Sequence, residues 1–266
     1  MKFSLAAMIR RFRNPRRRQI PIRDIPPPAV LATDLYRACY LPVIRTWELG
    51  AGRIVAEYER ALSAMTTDSP ADVERELGAV DDALQRLLIE LTPRLRSWAL
   101  RIETWHRGKW RGAVLSASGV DLQTLIGPED VADTVETVIE RNVSLIKDIS
   151  SQARGRIGDS VFRGLTERRA ARDVAREIRE AVEMGRDRAQ RIAADQLTKI
   201  TSALDGERMR QAGIERWKWV HSGKLHPRPE HVARNGREYT FANPPADMPG
   251  QLPYCGCRKL AVVEFD

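Results

Sequence analysis

From Ala29 to about Gly213 apolar residues return every three or four positions, and after Gly213 they alternate or run in short blocks. A period near 3.6 places side chains on one helix face, and a period of 2 places them on one strand face. The first texture predicts long amphipathic helices. Leu35, Cys39, Val43, Trp47, Ile54, Tyr58 and Leu62 form one stripe, with Pro42 and the Gly50-Ala51-Gly52 step expected as kinks or breaks. Ser69-Pro70-Ala71-Asp72 reads as a helix start, with Ser69 as N-cap and Pro70 in the first turn, where a missing N–H costs least. That helix extends toward residues 108–119, bent at Pro93. Gly127-Pro128-Glu129-Asp130 opens the next, its acids complementing the helix dipole. Two further helices are expected over Thr166–Glu183 and Arg186–Ala212, closed by Gly185 and Gly213.

Beyond Gly213 the segments WKWV, REYTF and KLAVVEF read as short strands, and prolines return at 227, 229, 244, 245, 249 and 253. The predicted fold is therefore mainly α, a long helical N-terminal body with a small C-terminal α+β module. The domain boundaries follow: 1–28 a basic, Pro-rich, flexible arm; 29–213 the helical body; 214–266 a compact aromatic-rich module. Within the arm, IPIRDIPPP (20–28) reads as a polyproline linker, with order beginning after it.

Charge sharpens the reading of the arm. Of the 44 Lys and Arg, eight precede Asp24, the first acid, and the remaining 36 equal the 36 acidic residues, so the net +8 lies in the tail. Arg10, Arg11, Arg13, Arg16, Arg17 and Arg18 are candidate nucleic-acid contacts, because clustered arginines bind phosphate through counterion release. The order of apolar and charged residues argues against a secretory signal, although an Arg-rich, acid-free start also suits a transit peptide. Along the helices acids are interleaved with the arginines at helical spacing, which reads as a solvated surface. No run approaches the roughly 18 apolar residues of a membrane span.

Three cysteines, two of them in PYCGC (253–257), do not make an oxidised framework and imply a reducing cytosol. The C-terminal module holds His221, His226 and His231 together with Cys255 and Cys257. A zinc deaminase needs His-x-Glu and Pro-Cys-x-x-Cys, and a zincin needs two histidines at i,i+4 around a glutamate; neither pattern is present. Residues i and i+2 of an extended segment share a side, so Cys255 and Cys257 can reach one ion with His231 as third ligand and His226 or Asp247 as fourth. That set makes a structural Zn²⁺ site, with two buried, packed thiols as the simpler alternative. No cofactor is required by this reading.

The ordered set RAQRIAADQLTK (188–199), GIERWKWVHSGKLHPRPEH (213–231), RNGREYTF (234–241) and PPADMPGQLPYCGC (244–257) resembles the bacteriophage Mu F-type minor head proteins, the MuF-domain or phage head morphogenesis family. The matching positions include Arg188, Asp195, Gln196, Gly213, Trp219, Ser222, Arg228, His231, Asn235, Gly236, Gly250, Cys255 and Cys257. Lys224 stands where the family usually has an aspartate, and His226-Pro227 replaces its Arg-Val. The resemblance implies a non-enzymatic structural protein of the virion, assembled in the host cytoplasm and no organellar import. It implies portal protein or major capsid protein as partners, with packaged double-stranded DNA as a non-specific one and no membrane. It also implies a bonded core in which Arg228 meets Glu230 or Asp247, and His231 meets the cysteines. The rival is a metal-dependent hydrolase or nuclease using His226, His231 and Asp247.

Overall fold

A computed structural model of the chain describes residues 2–12, 18–64 and 69–265. Seven α-helices are described, α1 (Leu5–Phe12), α2 (Val30–Leu35), α3 (Leu41–Ala64), α4 (Ser69–Ser118), α5 (Ala132–Glu167), α6 (Ala171–Gln211) and α7 (Pro229–Ala233). Four strands, β1 (Gln19–Ile22), β2 (Arg216–Val220), β3 (Glu238–Thr240) and β4 (Arg258–Glu264), form one antiparallel sheet in the order β1-β4-β2-β3. The fold is mainly α with a small sheet built largely from the C-terminal region.

The chain divides into two compact units. One comprises Met1–Leu31, Trp98–Val138 and Ala194–Asp266, and the other Ala32–Ser97 and Ile139–Ala193. The division differs from the expected linear order of arm, body and module because the two halves of α4 and of α6 serve different cores.

Within the second unit, the glycines read as helix breaks are packing positions. Gly50 lies inside α3, where a Cβ would come within 2.4 Å of Val80 Cγ2 on α4. Gly185 lies inside α6, where a Cβ would meet Ile44 Cδ1 at 3.4 Å, so the two helices expected over 166–212 are one. The break falls instead at Arg168, whose φ is +52°. Arginines from one helix reach acids of another, Arg154 to Glu74 and Asp81, Arg186 to Glu48, and Arg188 to Asp148 at 2.7 Å. The Arg169 guanidinium beside Glu177, with Ser160 and Arg163, holds that carboxyl down at about 2. Pro93 is accommodated inside α4, and the N-cap side chain expected at Ser69 lies outside what is described.

The first unit overturns the expectation of a free arm. Leu5 and Ile9, four apart on α1, are fully buried among Trp110, Val114, Met209, Ile214 and Phe265. The backbone N–H groups of Lys2 and Phe3 donate to Gln211 O and that of Leu5 to Ala212 O, satisfying carbonyls that the end of α6 leaves without helical partners. Residues 19–22, read as linker, pair with β4 as Gln19↔Glu264, Ile20↔Val263, Pro21↔Val262 and Ile22↔Ala261. Pro21 is tolerated because β1 is an edge strand, where a missing N–H costs no ladder bond. Arg258 Nε then donates to Asp24 Oδ2 at 2.7 Å, fixing the segment that leaves the strand.

The interior of this unit also holds charge. Arg208, near the end of α6, is 1% exposed. Its Nη2 donates to Glu103 Oε1 of α4 at 2.8 Å and to Gly127 O at 2.9 Å, and its Nη1 donates to Gln211 Oε1 at 3.0 Å. Asp130 stands 3.6 Å away and also accepts from Lys2 Nζ and the Gly127 N–H. Gln211 Nε2 completes the ring by donating to Asp130 O at 2.7 Å.

Candidate functional site

His231 is carried on α7, whose start is set by Pro229 at a position where the absent N–H is harmless. The ring is buried against Trp219 of β2, edge to face, with centroids 4.9 Å apart. Its Nε2 meets Asp247 Oδ2 at 2.8 Å, and Arg234 Nη1 donates to the other oxygen of the same carboxylate at 2.6 Å. The Arg234 guanidinium also lies over the Trp219 ring at 5.1 Å. Against the upward push of burial, the hydrogen bond and charge of Arg234 hold Asp247 below its ordinary range. A carboxylate at Nε2 selects the tautomer with the proton there and leaves the Nδ1 lone pair facing the other way.

Cys255 and Cys257 lie where that lone pair points. Cys255 Sγ is 3.5 Å and Cys257 Sγ 3.7 Å from His231 Nδ1, and all three residues are buried. The Cys257 thiol donates to Cys255, which pulls Cys255 down to about 5; holding that same bond, together with burial, pushes Cys257 up. Cys39 is also buried, in the other unit. Asp247 is on the far side of the ring from the sulfurs and His226 is exposed, so neither supplies the fourth ligand expected of it; Asp247 orients the histidine instead. A cleft of about 550 Å³ in the same unit is lined by residues including Arg23, Asp24, Trp105 and Lys109, and by none of these three.

Residues 155–260 match the model of the family described as Phage Mu protein F like protein. That segment is similar to the phage Mu F-like family. An uncharacterised protein of Haemophilus influenzae is 29% identical over 150 residues, covering 55% of this chain and 34% of that protein. The chain thus spans about a third of that relative's length. No solved structure matches the chain. No helix among the described residues is long and apolar enough to cross a membrane.

The Mu F-like segment uses its polar motif residues to hold one loop. Asp195 Oδ1 accepts the Tyr254 N–H at 2.6 Å, which fixes Tyr254 at a φ of +60°. Lys199 Nζ donates to the carbonyls of Gly250, Gln251 and Leu252, and Ser202 Oγ to that of Pro249. Gln196 is buried beside Asp195, its Nε2 at 3.4 Å from Oδ2. Gly250 has a φ of +79°, and a Cβ there would press on Ser202 Cβ at 2.8 Å. A face of α6 therefore grips residues 249–254 and presents Cys255 to His231.

Arg228, expected to pair with Glu230 or Asp247, instead donates to Pro253 O at 3.0 Å, adding a second hold on the same loop. Its expected place beside Asp247 is taken by Arg234, one turn further along than α7's first residues and able to reach both Asp247 and Trp219. Lys224 at the family's aspartate position donates to Tyr254 O at 2.6 Å, so the departure is a rerouted contact onto the same loop. Asn235 Oδ1 accepts the His221 N–H, and Gly236, at a φ of +77°, donates to Trp219 O to turn the chain into β3.

The arginines of the N-terminal cluster divide. Arg10 and Arg11 are exposed at the end of α1 and Arg18 is exposed before β1, whereas Arg13, Arg16 and Arg17 lie outside the described residues. Sequence reasoning missed Arg234 and Lys199. Lys199 sat four residues after Asp195 inside the matched run, a spacing that places both on one helix face.

Proposed function

We propose that this protein is a phage minor head protein acting in head morphogenesis, associated with portal protein or major capsid protein, and that its role is structural. The Mu F-like segment is the observation that carries this reading. The geometry supports it, because the polar residues of the motif are used to bind a loop rather than to line a cleft. His231 has both ring nitrogens engaged and is 3% exposed. The rival hydrolase or nuclease requires His226 to converge with His231 and Asp247, whereas His226 is exposed and outside the cluster. The protein resides in the virion, at the capsid interior or portal vertex, after assembly in the host cytoplasm.

Quantitative mass spectrometry of heads purified from the phage that encodes the chain tests this directly. The expected result is the chain in procapsids at far fewer copies than the major capsid protein, with crosslinks to portal or capsid protein. Absence of the chain from both procapsids and mature heads overturns the reading.

The packaged DNA is the second partner. Arg10 and Arg11 project from a docked helix, so their cations are held at a fixed surface instead of on a free arm. Replacing both by Ala leaves Leu5 and Ile9 in place and is expected to weaken binding to random-sequence duplex. It should also reduce the slope of log affinity against log salt by about 0.9 for each phosphate no longer neutralised. An unchanged slope removes these arginines from the DNA interface.

A further inference from the structure

We infer that His231, Cys255 and Cys257 hold a zinc ion that fastens α7 to the segment entering β4. Zinc bound at about 2.3 Å from thiolate sulfur and about 2.0–2.1 Å from imidazole nitrogen in a tetrahedral site puts each sulfur about 3.6 Å from the nitrogen. The two sulfurs here stand 3.5 Å and 3.7 Å from His231 Nδ1. All three ligand atoms lie within 4.8 Å of one another, and they form the candidate metal-binding group among the described residues.

Two further features distinguish this cluster from thiols packed at random in a core. The histidine's non-ligating nitrogen is held by Asp247, itself clamped by Arg234, which is the arrangement that orients a metal-bound imidazole. Gly256 permits the close approach of the segment carrying Ser222 and Lys224 to the chain between the cysteines, since a Cβ there would come within 2.9 Å of both. Two thiolates and an imidazole select zinc over magnesium or calcium, which prefer oxygen ligands. Buried behind the loop held by Asp195, Lys199 and Arg228, the ion is a crosslink between two short, loop-connected elements.

The full chain, purified without chelator and given Zn²⁺, is expected to carry about one equivalent of zinc by elemental mass spectrometry. Exchange into Co²⁺ is expected to produce a thiolate-to-cobalt charge-transfer band and tetrahedral visible bands. Cys255→Ser and Cys257→Ser should lose both metal and band, whereas Cys39→Ser, in the other unit, should keep them. Asp247→Asn should keep the cobalt spectrum while weakening metal affinity about 10–100-fold, as expected of a positioning residue. Should a cysteine variant fail to fold, the wild-type cobalt spectrum still decides the matter. A folded wild-type chain that takes up neither zinc nor cobalt, or a cobalt spectrum lacking the thiolate band, overturns the proposal.

Discussion

Deleting residues 2–23 is expected to abolish the cooperative folding of the sheet-containing unit. These residues contribute Leu5, Ile9 and Ile22, each fully buried, and truncating one large core side chain costs about 2–5 kcal/mol. The deletion also strips β1 from β4 and leaves Gln211 O and Ala212 O at the end of α6 without their N–H partners. The combined loss is comparable to the total stability of a domain, about 5–15 kcal/mol. Thermal unfolding followed by circular dichroism, with limited proteolysis to report residues 194–265, measures it. A truncated chain that melts as cooperatively and at the same temperature as the full chain would show that the N-terminal packing contributes nothing. The result also bears on function, because a truncation that unfolds this unit cannot report DNA binding by the arginines. The paired substitution of Arg10 and Arg11 isolates their charge.

Why the N-terminal segment reads wrongly from sequence is a matter of which signal dominates. Leu5 and Ile9 at i,i+4 carry a helical pattern, but the segment is short and eight cations surround it, so charge outweighs period. IPI looks like linker because proline is rare in strands, and the edge position that tolerates Pro21 exists only once β4 has another neighbour in β2. Gly50 and Gly185 show the same limit. A glycine in a helical pattern signals a break or a close approach, and only the partner helix, bringing Val80 or Ile44 to it, decides which.

Strands β2, β3 and β4 and the helical character of 29–213 were legible because period and composition agreed locally. The cluster was legible in part. Cys255, Cys257 and His231 stand out as rare residue types with metal-ligand chemistry, and the structure brings all three together. Their supporting shell was not, since Asp247 and Arg234 meet through a loop whose path depends on α6 side chains distant in sequence. Asp195, in the sequence only a motif position, has a physical role in the fold, where it fixes Tyr254 in a left-handed conformation next to Cys255.

The buried arginine sets the other large expectation. Arg208→Met should cost about 3–5 kcal/mol, because it leaves Glu103, 2% exposed at its side chain, with only the longer, partly exposed contact to Arg107 at 3.4 Å. Burial lowers the pKa of Arg208, and the charges of Glu103 and Asp130 oppose that shift, so the cation persists because its acids do. Arg208→Lys should recover little, since a single ammonium cannot reach Glu103 Oε1, Gly127 O and Gln211 Oε1 together as the planar fork does. Removing both partners is different: Arg208→Met with Glu103→Met deletes two buried charges at once and should restore much of the loss, since apolar replacements of buried ion pairs are often neutral. Urea unfolding of the two single variants and the double variant forms the cycle, with a coupling of about 0.5–3 kcal/mol expected. Additive losses would mean that Glu103 is not the group Arg208 compensates. A loss below about 0.5 kcal/mol for Arg208→Met alone would mean that Arg107, whose Nε is 3.4 Å from Glu103 Oε1, suffices to compensate the carboxylate. The two acids reached by Arg208 belong to α4 and to the turn Glu129–Val131 just before α5, so this side chain ties the end of α6 to both at the point where Lys2 also binds Asp130. Its loss should therefore loosen the seating of α1 as well, read as faster hydrogen exchange at the Lys2, Phe3 and Leu5 amides that donate to the end of α6.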